Sequence, residues 1–179
     1  LGGVGAPRST SDYFPLQVMN TILGGAYTSR LNQNLRETHG YTYGAGSGFG
    51  LRRSAGPFIA SAEVVTAKTD SALIEFLKEL RSIRDTVSAD ELSRAKRNLQ
   101  LGLPSSFETT EGIASEFLPL IAYGIPLDFF ASAVQQYGAV TQADVQRVAR
   151  QYVNPDKLTI VVVGDRKVIE PGIRALKPG

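Results

Sequence analysis

The chain has no cysteine and one histidine in 179 residues. Without cysteine there is no disulfide framework, no thiolate zinc ligand and no thiol nucleophile. A catalytic zinc site needs two or three nitrogen ligands, and only His39 is available. A serine–histidine–aspartate triad would have to use that same residue. Charge of one sign is also lacking. The 19 basic and 17 acidic side chains leave +2, too balanced to imply a nucleic-acid partner. No apolar run approaches the about 18 residues of a membrane span. The absence of cysteine suits a bacterial periplasm and a cytoplasm equally.

What is present is globular in character. Apolar residues make up 42% and charged residues 20%, enough to build one core, and one domain over residues 1–179 is expected. The opening LGGVGAP reads as the tail of a strand. Its first strands are therefore expected to be cut off, with any targeting signal upstream.

Asp12 or Ser11 is placed to cap a helix whose apolar positions are Phe14, Val18, Met19, Ile22 and Leu23, with Gly24 and Gly25 as its stop. A second helix is predicted from about Ser29 to His39, ended by Gly40. YTYGAGSGFGL then alternates, with Tyr41, Tyr43, Ala45, Ser47 and Phe49 on one parity and a glycine row on the other. Period two makes that row one bare face of a strand, open to a bulky neighbour. A second strand, Pro57 to Val65, completes an antiparallel hairpin.

Helices come next over about Ala67 to Asp85, and from a capping box at Ser88–Glu91. Another is expected over Ser105–Tyr123, with a break or kink near Pro119, then one over Asp128–Tyr137. A further helix is capped at Thr141–Asp144. Leu158 to Val163 (LTIVVV) reads as a buried strand, and a short helix ends the chain. A few strands with segregated helices predict an α+β fold, a mostly antiparallel sheet with helices on one side.

Several features carry no chemistry by themselves. Gly44, Gly46, Gly48 and Gly50 form GxGxGxG rather than GxGxxG, and the row comes after a helix instead of opening one, so a nucleotide cradle is disfavoured. His39 reads as a solvated residue offsetting a helix dipole. Arg94, Lys96 and Arg97 are interleaved with acidic neighbours and read as a solvated face. Arg36 and Tyr43 are different. They stand seven residues apart across the reversal at Gly40. They are either a structural arginine and a half-buried tyrosine, or two donors that converge on a carbonyl oxygen of an extended peptide.

LGGAYTSRLNQNLRETHGYTYGAGSGF resembles the C-terminal domain motif of the pitrilysin/insulinase (M16) zinc metallopeptidases, which include the mitochondrial processing peptidase and the bc1 core proteins. The matching features are Gly24-Gly25, Ser29-Arg30-Leu31, Leu35-Arg36-Glu37, Gly40 and Tyr43. SDY before the first helix, SADELSRAKRNL, TQADVQRVARQYV and LTIVVVGD extend it along the chain. The resemblance implies an α/β roll, an antiparallel sheet of about six strands backed by helices. It implies pairing with a homologous domain or subunit that bears the HxxEH zinc motif, which is absent here. Zinc would belong to that partner; this chain would hold no metal and no catalytic residue. Arg36 and Tyr43 map onto the substrate-binding pair that grips a peptide near the scissile bond. His39 and Tyr41 depart from the residues common at those positions. The alternative function is a non-catalytic structural subunit, like a bc1 core protein.

Overall fold

The computed structural model describes residues 1–176. Its elements run β1 (Gly2–Val4), α1 (Tyr13–Asn20), α2 (Arg30–Asn32), β2 (Thr42–Phe49), β3 (Pro57–Val64), α3 (Thr69–Asp85), α4 (Ala89–Gly102), α5 (Thr110–Tyr123), α6 (Ala133–Ala139), α7 (Gln142–Tyr152) and α8 (Arg166–Leu176). Two of these wind on into wider π-helical turns: α1 into Thr21–Gly25 and α2 into Gln33–Thr38. The expected α+β organisation is present. Among the described residues the sheet has three antiparallel strands in the order β1-β3-β2.

β3 shows why the helices lie on one side. Phe58 and Ala60 point inward and are fully buried, while Ile59, Ser61 and Glu63 point to solvent. That is the period-two alternation of a sheet with one covered face. Over the covered face, α7 packs against both α1 and α3. The core joins Leu16 and Met19 of α1, Phe76, Leu80 and Ile83 of α3, and Val145, Val148 and Ala149 of α7. Both capping boxes form: Ser88 with Glu91, and Thr141 with Asp144.

Glu91 does more than cap. It accepts from Arg30 Nε at 2.6 Å and Arg30 Nη2 at 2.9 Å, while the same guanidinium donates to Ser82 Oγ and the Thr86 carbonyl. Burial alone would raise this carboxyl. The Arg30 and Ser88 donors and the arginine charge more than offset it, holding Glu91 at about 2. A folded value below the unfolded one stabilises the fold above about 4.5, and that stabilisation drains away as pH falls through about 2. Glu91→Gln should therefore cost about 1–3 kcal/mol near neutral pH. The gap to wild type should narrow as pH falls from 4.5 toward 2, as urea titrations across that range would measure.

Four sequence expectations are corrected. Asp12 is the N-cap of α1, as expected, and its carbonyl accepts from the Leu16 N–H, but its side chain does not cap the helix. Its carboxylate is drawn instead to Arg147 Nη2 (2.7 Å) and the Tyr152 hydroxyl (3.0 Å), a tie to α7 that no local pattern announces. α5 runs through Pro119 unbroken and stops at Gly124, whose φ is +66°. The break comes earlier, at Thr109, whose hydroxyl caps the helix by accepting from the Gly112 N–H. The helix expected from Asp128 begins instead as a 3₁₀ turn, Phe129–Ser132, and becomes α-helical only at Ala133.

The fourth concerns LTIVVV, which is not a buried strand. Thr159 exchanges both backbone hydrogen bonds with Gly2, at 2.9 and 2.8 Å, and regular pairing ends there. Val161 is 71% and Val163 93% exposed. Among the described residues no strand pairs with Ile160 onward. A void of about 400 Å³ separates Ile160–Gly164 from Ala60–Val64 of β3, with Ala72, Leu73 and Phe76 as its floor.

Candidate substrate-binding site

Arg36 sits on a short helix fixed at several points. Leu31 and Leu35 bury one face completely. The Arg30 guanidinium ties the start of the helix to Ser82 on α3 and Glu91 on α4. Asn34 Nδ2 donates to Glu75 Oε2 at 2.9 Å and Glu79 Oε1 at 2.6 Å on α3. The Asn34 donor, then Lys78, hold Glu75 below the usual carboxylate range. Gly40, at φ +63°, reverses the chain into β2, a left-handed turn that favours glycine.

Tyr43 is placed by an irregularity that the alternating pattern does not announce. Thr42 pairs with Val64 and Ala45 with Ala62, so Tyr43 and Gly44 together face the single residue Glu63. This is a β-bulge, which re-aims a side chain and shifts the inward–outward parity of the rest of the strand. Tyr43 ends 97% exposed, not half-buried. Ala45 turns inward to the core. Thr42 braces the bulge: its hydroxyl lies 2.7 Å from the Gly44 carbonyl and 2.6 Å from the Glu63 carbonyl, and accepts from the Gly44 N–H at 3.0 Å.

The glycine row is used unevenly. A Cβ on Gly48 would meet nothing within 4 Å, and one on Gly44 only Asn32 Oδ1 at 3.9 Å. The close approach is instead at Gly24, which lies against the Ser47 backbone nitrogen and the Gly46 carbonyl carbon of β2. Gly24 thus lets a helical turn press on the outer edge of the sheet, while Gly25 lies against Asn20. Asn32 completes this contact. Its Oδ1 accepts from the Ala45 N–H at 3.0 Å, and its Nδ2 donates to the Ala26 carbonyl (3.2 Å) and Ser29 Oγ (3.3 Å).

Arg36 and Tyr43 thereby line one open cleft of about 710 Å³, with Gly24, Tyr27, Gly44 and Glu63 among its other walls. The Arg36 guanidinium carbon lies 4.5 Å above the Tyr27 ring, and Nη1 is 3.7 Å from Glu37 Oε1. Tyr27 donates to that same carboxylate oxygen at 3.3 Å. One side of the guanidinium is held while its side chain keeps 32% of its surface in solvent. The cleft is thus lined by a charged guanidinium fork and an exposed phenol, both hydrogen-bond donors.

His39 lies outside the cleft. It stacks on Tyr41 with centroids 4.9 Å apart, and Nε2 is 3.9 Å from Glu75. Among the described residues no three His, Cys, Asp or Glu side chains come together as metal ligands. Asn32, Tyr27, Thr42 and Glu63 were not picked out in the sequence. Asn32 left one trace: a polar residue beside Leu31, one helical turn before Arg36.

The family model for the peptidase M16 inactive domain matches residues 1–99. The chain belongs to this family. An uncharacterised zinc protease of Rickettsia felis is 30% identical over 104 residues, 58% of this chain and 25% of the relative. The chain thus spans about a quarter of the length of that curated relative. The M16 inactive domain from Pseudomonas fluorescens superposes with a TM-score of 0.79 at 26% identity, covering 87% of this chain and 38% of the other. A complex III chain from Candida albicans shares the fold at 17% identity, with a TM-score of 0.75 over 87% of this chain and 40% of its own. The stretch matched to the M16 model ends inside α4. It contains the whole cleft, from Gly24 to Glu63.

Proposed function

We propose that this M16 domain is the zinc-free, peptide-gripping half of a two-part zinc metalloendopeptidase. The observation that carries the reading is that Arg36 and Tyr43 line one open cleft, with Tyr43 carried on the bulge opposite Glu63. A scaffold has no chemical need of an exposed phenol and a partly solvated guanidinium lining one cleft. An extended peptide presents carbonyl oxygens as acceptors, and both side chains are donors. In the reaction, the Tyr43 hydroxyl and the Arg36 N–H groups hold the backbone near the scissile bond. They also stabilise negative charge as it grows on the carbonyl oxygen. The zinc ligands, and the chemistry they supply, would lie in an HxxEH-bearing homologous domain or subunit.

The test is reconstitution. This chain alone should show no chelator-sensitive proteolysis, and mixing or fusing it with an HxxEH-bearing M16 domain should produce it. Strong chelator-sensitive turnover by the isolated chain would sink the proposal. The competing reading is a structural subunit, and the fold shared with a complex III chain is what speaks for it. On that reading Arg36 and Tyr43 variants leave turnover of the assembled pair untouched.

A further inference from the structure

We propose that Asn32 is the positioning residue of this cleft: it sets the gap between Arg36 and Tyr43, and so the register in which a peptide backbone is held. This rests on the peptide-gripping reading above. Asn32 and Arg36 are four residues apart on one helix, hence one above the other on the same face. Ala45 is two residues beyond Tyr43, just past the bulge. One side chain, only 9% exposed, therefore joins the two segments that carry the donors.

The geometry leaves it little freedom. The Ala45 N–H points outward from β2, where among the described residues no strand lies beyond. Buried without a partner, it would carry a desolvation penalty. Asn32 Oδ1 is the acceptor that meets it. The orientation of the amide is then fixed, because the Ala26 carbonyl on its other side needs a donor. With Ser29 Oγ as the third contact, both amide hydrogens and the carbonyl oxygen are engaged. Thr42 braces the bulge from its near end and Asn32 from its far end. Tyr43 projects from between these two braces without a packing contact of its own to fix it, as its 97% exposure shows. Its placement relative to Arg36 is then a property of the braces.

Aspartate at position 32 separates packing from positioning. It is isosteric and still accepts from Ala45, but it cannot donate and sets a carboxylate against the Ala26 carbonyl. Two measurements decide. The first uses this chain alone: amide hydrogen exchange at Ala45 and the NMR ring signals of Tyr43. Asn32→Ala should speed Ala45 exchange at least about ten-fold and move the Tyr43 signals, and Asn32→Asp should move them in the same direction. The second uses the chain with its zinc-bearing partner. Asn32→Ala and Asn32→Asp should each lower kcat about ten-fold with KM changed little. Combined with Tyr43→Phe, either should add almost nothing to the loss from Tyr43→Phe alone.

A purely structural Asn32 would give losses that multiply instead, and that result overturns the proposal. So does an unchanged Tyr43 environment in the Asn32 variants. Should Arg36→Ala and Tyr43→Phe leave turnover intact, the peptide-gripping reading falls. The exchange and ring signals still decide whether Asn32 places Tyr43. Asn32→Asp carries both measurements if the alanine variant does not fold.

Discussion

Peptide turnover by the assembled pair should fall about ten- to a thousand-fold when Arg36 becomes alanine or Tyr43 becomes phenylalanine, the scale of losing one donor to a developing oxyanion. The two changes act differently. Tyr43→Phe removes one hydroxyl from a ring that is 97% exposed, so the fold and the cleft wall are left as they were. Any loss is then a loss of the hydroxyl's hydrogen bond. Arg36→Ala also releases Glu37 and Tyr27 from the guanidinium. Arg36→Lys is the sharper control, because an ammonium keeps the charge but loses the planar fork that spans two acceptors. Steady-state kinetics with one peptide substrate would check all three. Undiminished kcat/KM in both Arg36→Ala and Tyr43→Phe would leave the cleft without its assigned work.

The second large effect belongs to a glycine. A Cβ on Gly24 would run into the Ser47 backbone nitrogen and come within 2.8 Å of the Gly46 carbonyl carbon. These are backbone atoms of a paired strand, not the far end of a side chain that can swing aside. Gly24→Ala should therefore sit at the upper end of overpacking costs, about 3 kcal/mol. For a chain of this size that is a melting-temperature drop of about 6–12 °C. Because the same contact seats β2 against the turn that ends α1, and Gly24 lines the cleft, surviving activity should fall as well. Gly48→Ala is the matched control. It lies in the same strand with nothing within 4 Å of its added carbon, and should change stability by less than about 0.5 kcal/mol. Thermal melts of the two variants would check the pair. Equal melting temperatures would mean that Gly24 is not the close contact it is taken to be.

Those two glycines also mark what could and could not be read from the chain. The helices with local signatures were legible: α4 and α7 carry their capping boxes in sequence, and α3 its apolar stripe. The Gly40 stop was legible because a left-handed backbone there needs a residue without a Cβ. Arg36 and Tyr43 could be paired because the turn between them is short. The bulge was not legible. TYGAGSGF alternates cleanly, and only the pairing with β3 reveals that Tyr43 and Gly44 share one partner. The glycine row looked like one uniform bare face for the same reason. Asp12, a plausible helix cap by type, went to partners more than a hundred residues away. LTIVVV has every local mark of a strand, yet a strand is a relation between segments. Pro119 misled in the opposite direction, since α5 runs straight through it.

The run from Ile160 to Val163 has a physical consequence for handling the domain. It is β-branched throughout, uncharged, free of proline, and its backbone is unpaired beyond Thr159. Such a segment is a template on which a second molecule can lay its own strand. The isolated domain therefore carries a seed for intermolecular association across the void beside β3. Loss of soluble protein at high concentration would report on these four residues. A lysine in place of Val163, already 93% exposed, would act as a gatekeeper at little cost to the core.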